Sequence, residues 1–158
     1  MNGIVILSSE DQEMIRDAAA IDAAVFPSNA WGYESYYRSA LNGYDHLTAE
    51  LCGGEVRGFA LLRCFDDAEL IRIAVSPEHR RRGIGRRLLS ELIEETGRRG
   101  IHDIFLEVRS GNAAAIGLYR SAGFENAGIR KDYYHEPKED ALILRYTCEM
   151  FVYSAQAA

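Results

Sequence analysis

At 158 residues the chain has the length of one domain, expected to span residues 1–158, and such a domain buries roughly 70% of the surface its unfolded chain exposes. Hydrophobic residues make up 47% and charged residues 27%, the proportions of an ordinary soluble globular protein. Lys and Arg total 18 against 24 Asp and Glu, a formal charge of −6 that argues against a general nucleic-acid binder, and no apolar stretch approaches the ~20 residues that cross a bilayer.

In chain order, Ile4 to Leu7 reads as a first strand. Ser9 offers a helix N-cap, with Gln12 three residues on, for a helix running to about Ala24. Phe26-Pro27-Ser28-Asn29-Ala30-Trp31-Gly32 breaks that pattern as a loop, and Glu34 to Leu41 returns to helix before Asn42-Gly43 ends it. Leu47 to Cys52 and Val56 to Arg63, separated by Gly53-Gly54-Glu55, form a hairpin signal, and Ala68 to Val75 makes another strand. From Gly83 the period becomes helical, with Ile84, Leu88, Leu89, Leu92 and Ile93 on one face and Glu and Arg on the other. Ile104 to Val108 is a strand, Ala113 to Ala122 a helix closed by Gly123, and Leu142 to Tyr146 a last strand. A meander followed by strand-helix-strand-helix-strand predicts a mixed α/β fold, a central mixed β-sheet with helices on both faces.

The segment Ser76-Pro77-Glu78-His79-Arg80-Arg81-Arg82-Gly83-Ile84-Gly85 joins a strand to a helix start. Backbone N–H groups at a helix start lack intrahelical partners, and the helix dipole adds positive charge there. Gly83 and Gly85 let an anion approach the backbone, and Arg81, Arg82 and Arg86 supply charge suited to a pyrophosphate. The bland alternative is a solvated basic helix start whose glycines serve only the turn. A dinucleotide fingerprint is not met, because Leu88 stands at its third glycine position, and no Gly-Lys-Ser/Thr follows as a P-loop requires. No aromatic residues interleave with the basic run as they do in a nucleic-acid patch.

Cys52, Cys64 and Cys148 show no CxxC spacing and read as free thiols in a reducing compartment. The N-terminus lacks the basic flank and long apolar core of a signal peptide, so a cytoplasmic location is expected. The four histidines, at 46, 79, 102 and 135, show no HExxH or paired spacing, and no metal site is expected.

Arg80-x-x-Gly83-x-Gly85 after a strand is similar to motif A of the GNAT acetyltransferases. Ile73-Ala74-Val75, Leu106-Glu107-Val108-Arg109, Asn112-Ala113-Ala114-Ala115-Ile116, Leu118-Tyr119, Gly123-Phe124, Arg130-Lys131-Asp132-Tyr133-Tyr134 and Glu139-Asp140-Ala141 then follow in the order of that family's RimI-like branch. Those enzymes acetylate the N-terminal alanine of a small-subunit ribosomal protein. The resemblance runs from about Leu70 to Arg145 and implies a GNAT fold, acetyl-CoA as cofactor, and an amine acceptor, a protein or peptide N-terminus.

Amine acetylation needs a base for the amine, a polarised carbonyl and a proton for the departing thiolate. The resemblance implies backbone donors in Ile73, Ala74 and Val75 for the thioester, in a strand that splays from its neighbour. Glu107, a carboxylate in the apolar run Ile104-Phe105-Leu106-Glu107-Val108, is the candidate base; from local sequence alone it is equally a strand-end glutamate paired with Arg109 or Arg120. Tyr119, three positions after Ile116 on one helix face, is the candidate acid by family position and an amphipathic core aromatic otherwise. Asn112 is placed to cap this helix, and the resemblance adds a coenzyme A contact. Tyr133 and Tyr134 fall where the family shapes its peptide groove, the alternative being a loop that packs two aromatics on the core. Two departures lie on the acceptor side: the tryptophan of a Phe-Pro-Trp-Ser stretch is displaced to Trp31, either an acceptor-site wall or a loop anchor, and Asp132 stands where asparagine is common. Two readings remain beside protein N-terminal acetylation: acetylation of a polyamine, amino acid or aminoglycoside, and an acyl-CoA-binding module without turnover.

Overall fold

The hairpin, the apolar strands and the amphipathic helix of the sequence assemble in a computed structural model that describes residues 1–148. In chain order the elements are β1 (Gly3–Ile6), α1 (Gln12–Val25), α2 (Tyr33–Leu41), β2 (Asp45–Cys52), β3 (Glu55–Cys64), β4 (Ala68–Val75), α3 (Ile84–Arg98), β5 (Asp103–Arg109), α4 (Ala113–Ser121), β6 (Glu125–Tyr134) and β7 (Glu139–Thr147). The strands form a seven-stranded sheet in the order β1-β2-β3-β4-β5-β7-β6. Every neighbouring pair is antiparallel except β4 and β5, so the sheet is mixed as expected.

Apolar side chains of both faces are buried, each under a helix pair. Ile15, Ala18 and Ile21 of α1 and Tyr36 of α2 pack on Leu47, Ala49, Phe59 and Leu61. Ile84, Leu88, Leu89 and Leu92 of α3 and Ile116 of α4 pack on Ala60, Leu62, Leu70, Ile104 and Leu106. Alternation along the strands supplies both sets, since successive side chains point to opposite faces.

Three features differ from the sequence reading. The helix expected to be capped by Ser9 starts two residues later: Asp11 occupies the N-cap, and its Oδ2 accepts from the Ser8 N–H at 2.8 Å. Strand β6 was not expected at all. It lies at the sheet edge with nearly every side chain exposed, so it carries no alternation to read, and its pairing with β7 supplies its order. The third is the polar row of β2. His46, Thr48 and Glu50 are buried under α3, where Arg87 meets Glu50 and His46 meets Glu91 and Glu95.

Cys64 and Cys148 are buried and Cys52 half-buried, all three as free thiols. Among the described residues no helix is long and apolar enough to cross a membrane.

Candidate active site

Strand β4 is bent by one extra residue. Its register against β3 runs Leu61↔Arg72 and then Leu62↔Leu70, leaving Ile71 without a partner in the ladder. Ile71 joins the core under α1 and α2, and Arg72 pairs with Asp22 of α1, so two successive side chains lie on one face of the sheet. A bulge of this kind bends its strand and ends regular pairing. The parallel ladder to β5 accordingly covers only Ala68↔Ile104 and Glu69↔Phe105. Beyond Leu70 the two strands diverge, and a cleft of about 690 Å³ opens between them.

Ile73, Ala74 and Val75 line this cleft along the edge of β4 that faces away from β3. Glu107 lines it from β5. Its neighbours Leu106 and Val108 belong to the core under α3 and α4, so alternation turns Glu107 to the opposite face. Tyr119 and Leu118 approach from α4, on the first of these faces. The candidate base and acid therefore border one cleft from opposite sides of the sheet.

The two groups are held differently. The Glu107 Oε1 pairs with Arg130 Nε at 3.1 Å, a partner other than the Arg109 or Arg120 considered from sequence. Tyr133 also bonds to Glu107, and that bond, with the nearby carboxylate charge, pushes the Tyr133 hydroxyl above the usual tyrosine range. Tyr119 is 7% exposed; burial first, and Tyr134 second, push its hydroxyl well up, so it stays protonated near neutrality. Asn112 caps α4, its Oδ1 accepting from the Ala115 N–H at 3.2 Å, and lines the same cleft.

Tyr133, Tyr134 and the turn that follows them also line the cleft. Register shifts between Arg130 and Tyr134 re-aim this part of β6. Arg109 anchors it: Nη1 donates to Pro137 O at 3.0 Å and Glu139 Oε1 at 3.2 Å, Nη2 donates to His135 O at 3.3 Å, and the guanidinium lies 4.4 Å from the Tyr134 ring centre. Phe26 to Asn29 line the cleft as well. Trp31 does not reach the cleft. It packs on Tyr36 with ring centres 5.4 Å apart, and its backbone N–H donates to the buried Asp22 at 2.6 Å. Of its two sequence readings, the geometry is that of the loop anchor.

The start of α3 carries no side-chain cap, so its first N–H groups are left for a ligand. Gly83 takes φ +78°, and Arg81 takes φ +64°, a left-handed conformation that costs a non-glycine residue about 1 kcal/mol or more. Gly85 lines the cleft; a Cβ there would come within 3.3 Å of Leu118 on α4. The remaining members of the expected cradle point elsewhere. Ile84 is buried, Arg86 donates to Ser121 Oγ at 2.9 Å, and Arg82 and Arg86 border a separate hollow beside α3.

Sequence reasoning missed Asp22, Arg72, Arg87 and Arg130. Arg72 and Asp22 were detectable as charges inside the apolar runs Ala68–Val75 and Ala18–Val25. Arg130 and Arg87 carried no such signal, because their partners lie on other strands. His46, Glu91 and Glu95 bring ligand-type atoms within 4.8 Å of one another, but Arg98 and Arg99 already compensate both carboxylates, which gives an ion-pair network rather than a metal centre.

An open splayed edge, an uncapped helix start and a glycine that keeps α3 close to α4 suit a pantetheine arm and its pyrophosphate. Residues 15–124 match the model of the acetyltransferase (GNAT) family. The chain is 45% identical over 132 residues to the Escherichia coli ribosomal protein bS18-alanine N-acetyltransferase, covering 81% of this chain and 86% of that one. It is 35% identical over 133 residues to the N-alpha-acetyltransferase RimI of Mycobacterium tuberculosis, covering 80% and 82%. A crystal structure of a ribosomal-protein-alanine N-acetyltransferase from Escherichia coli superposes with a TM-score of 0.80 at 33% identity over 94% of each chain. With this fold and this cleft, the chain belongs to the GNAT acetyltransferases and is an N-acetyltransferase that uses acetyl-CoA.

Proposed function

We propose that this enzyme acetylates the α-amine at the N-terminus of a protein, the acceptor being the N-terminal alanine of a ribosomal protein of the bS18 kind. The observation that carries this reading is the 45% identity, over most of both chains, to a relative named for that reaction. The cleft agrees with it: Glu69, Glu107 and Glu136 line it, while its lining arginines Arg72 and Arg109 are engaged by Asp22 and Glu139, and such a lining suits a cationic N-terminus followed by basic residues. The whole chain acts as one catalytic domain, working in the cytoplasm where new protein N-termini and acetyl-CoA meet.

Acetyl-CoA supplies an activated acetyl thioester. In this reading Glu107 takes the proton from the α-ammonium, directly or through water, and leaves a neutral nucleophile. Backbone donors of Ile73 to Val75, on the edge without a β5 partner, stabilise the carbonyl oxygen as it gains charge. Tyr119, which lines the cleft from α4, delivers its proton to the leaving sulfur. Gly83, Gly85 and the N–H groups of α3 hold the pyrophosphate, with Arg81 supplying charge, and Asn112 contacts the cofactor beside its capping role. Tyr133, Tyr134 and the Phe26–Asn29 wall border the acceptor, and Trp31 supports that wall from behind.

A panel of hexapeptides beginning with Ala, Ser or Met, followed by basic residues, tests the acceptor by release of free coenzyme A. The alanine peptide is expected to turn over fastest. Release with 1,4-diaminobutane but with none of the peptides would replace this reading with a small-amine acetyltransferase. Tight coenzyme A binding without any turnover would leave a binding module.

A further inference from the structure

Across β7, one row of the sheet carries Arg109, Ala141 and Arg130, and the next carries Glu107, Ile143 and Gly128. Cross-strand partners share a face, so both arginines and Glu107 lie on the same side of the sheet. Ala141 is fully buried and too small to separate the two guanidiniums. They are nevertheless used in opposite ways. Arg109 is built in, with donors to Pro137, His135 and Glu139 and its face on Tyr134. Arg130 reaches across β7 to Glu107, its Nε 3.1 Å from Oε1, and its guanidinium lies 5.7 Å from the Tyr133 ring centre with the side chain 55% exposed.

We propose that Arg130 is an exchangeable counter-ion for Glu107, a positioning residue that the acceptor's ammonium displaces when it enters the cleft. This rests on the reading of Glu107 as the carboxylate that receives the acceptor. Glu107 faces both the cleft and Arg130, so either cation can neutralise it. A pair whose guanidinium is largely exposed contributes little, about 0–1 kcal/mol, so its loss is a small obstacle to binding. When the cleft is empty, Arg130 keeps the carboxylate from standing unpaired; when an ammonium arrives, the guanidinium swings into water. The incoming cation thereby replaces one already present, and the charge of the site does not change. Tyr133 bonds to the same carboxylate from β6 and holds its orientation through the exchange. No covalent bond changes in this step; the proton leaves the ammonium for Glu107 only afterwards.

Displacement makes Arg130 a competitor of the acceptor, which is the opposite of what a structural or peptide-binding arginine would be. Equilibrium binding to the coenzyme A-saturated enzyme reads this directly. The probes are the alanine-initiated hexapeptide and 1,4-diaminobutane, both of which carry the required ammonium. Arg130→Gln is expected to lower the Kd of the tighter probe about threefold, and Arg130→Lys to restore the wild-type value. In a Glu107→Gln background, where no carboxylate remains to be contested, Arg130→Gln is expected to leave Kd unchanged. An unchanged or raised Kd in Arg130→Gln, the same effect in both backgrounds, or no binding of either probe would overturn the exchange. Because binding is measured without turnover, the test separates from the catalytic reading: Glu107→Gln could retain activity, ending its role as base, while the exchange of cations still held.

Discussion

In the proposed reaction Glu107 and Tyr119 divide the labour of proton transfer, and the sheet places them in unlike surroundings. Glu107 is 24% exposed at the side chain and meets Arg130 and Tyr133, two partners that orient the carboxylate. Tyr119 is nearly buried, and its hydroxyl is raised from an ordinary value of 10.0. Two outcomes are expected of single substitutions. Glu107→Gln and Tyr119→Phe each lower kcat by about 100-fold or more, the usual contribution of a positioned acid or base, with the KM for acetyl-CoA changed less than threefold. Steady-state rates with the best acceptor check this, and turnover within threefold of wild type in either variant would remove that residue from the mechanism. Both residues were visible in the sequence, one as a carboxylate in an apolar strand and the other by family position. Their partners were not. Arg130 reaches Glu107 only because β7 inserts between β5 and β6, an order that no local pattern announces.

At the scale of elements, the site depends on an irregularity in β4. The run Ala68–Val75 reads as one continuous strand, and its hydrophobicity gives no hint that Ile71 is squeezed out of the ladder. The hint lies in Arg72, which is only 10% exposed at the side chain and is tied to α1 and the following loop. Its Nη1 donates to Asp22 Oδ1 at 3.0 Å, its Nη2 donates to Asn29 O at 2.6 Å, and its guanidinium lies 4.7 Å from the Phe26 ring centre. Asp22 completes the clamp by accepting from the backbone N–H of Trp31. Strand, helix and the Phe26–Asn29 lining of the cleft are thus joined through one buried ion pair, which explains how Trp31 fixes the loop. Removing one partner of such a pair leaves a buried charge uncompensated, at a cost of about 3–5 kcal/mol. Asp22→Ala is therefore expected to lower unfolding free energy by that amount in a urea titration. Where it still folds, it should raise the KM for the acceptor severalfold while leaving the KM for acetyl-CoA near wild type. Equal changes in both KM values would mean that the clamp supports the whole cleft rather than its acceptor wall. The same comparison of strand and helix explains what was legible. Amphipathic α3 and the β2–β3 hairpin announce themselves by period and turn, whereas β6, polar on both sides, has its position dictated by backbone pairing with β7.

Across the whole molecule, the sheet has a closed end and an open end, and stability and chemistry are divided between them. At the closed end β4 and β5 still pair, and charged groups are knitted across strands and into α3. Arg63 binds Asp45 through Nε at 2.8 Å and Nη2 at 3.0 Å, and Arg145 does the same to Asp103 at 2.9 and 3.2 Å. Burial disfavours ionisation of Asp45, but bonds from Arg63, Asn42 and Ser39 outweigh it and hold the carboxyl below its ordinary 3.8. Asp103 is likewise held low, burial being outweighed by bonds from Arg145 and Thr147. A carboxyl whose proton affinity is lowered by folding adds stability that is complete above its unfolded value and disappears as pH falls through the folded one. Tyr36 and Tyr119 act at the other limit. Burial raises both hydroxyls, so their contribution is complete below the unfolded value of 10.0 and is lost above it. Tm is therefore expected to be level between about pH 5 and 9 and to fall on either side. Asp45→Asn isolates the acid limb. At pH 7 it should melt several degrees below wild type, and the gap should narrow steadily towards pH 3 as wild-type Asp45 takes up its proton. A gap of constant size down to pH 3 would show that the Arg63 pair contributes packing but no linkage. Because Asp45 lies at the closed end and borders neither Glu107 nor Tyr119, kcat at 25 °C and pH 7 should stay within twofold of wild type in the same variant. A large loss of kcat would mean that the two ends of the sheet are mechanically coupled through β4, with the bulge at Ile71 as the place where strain at one end reaches the other.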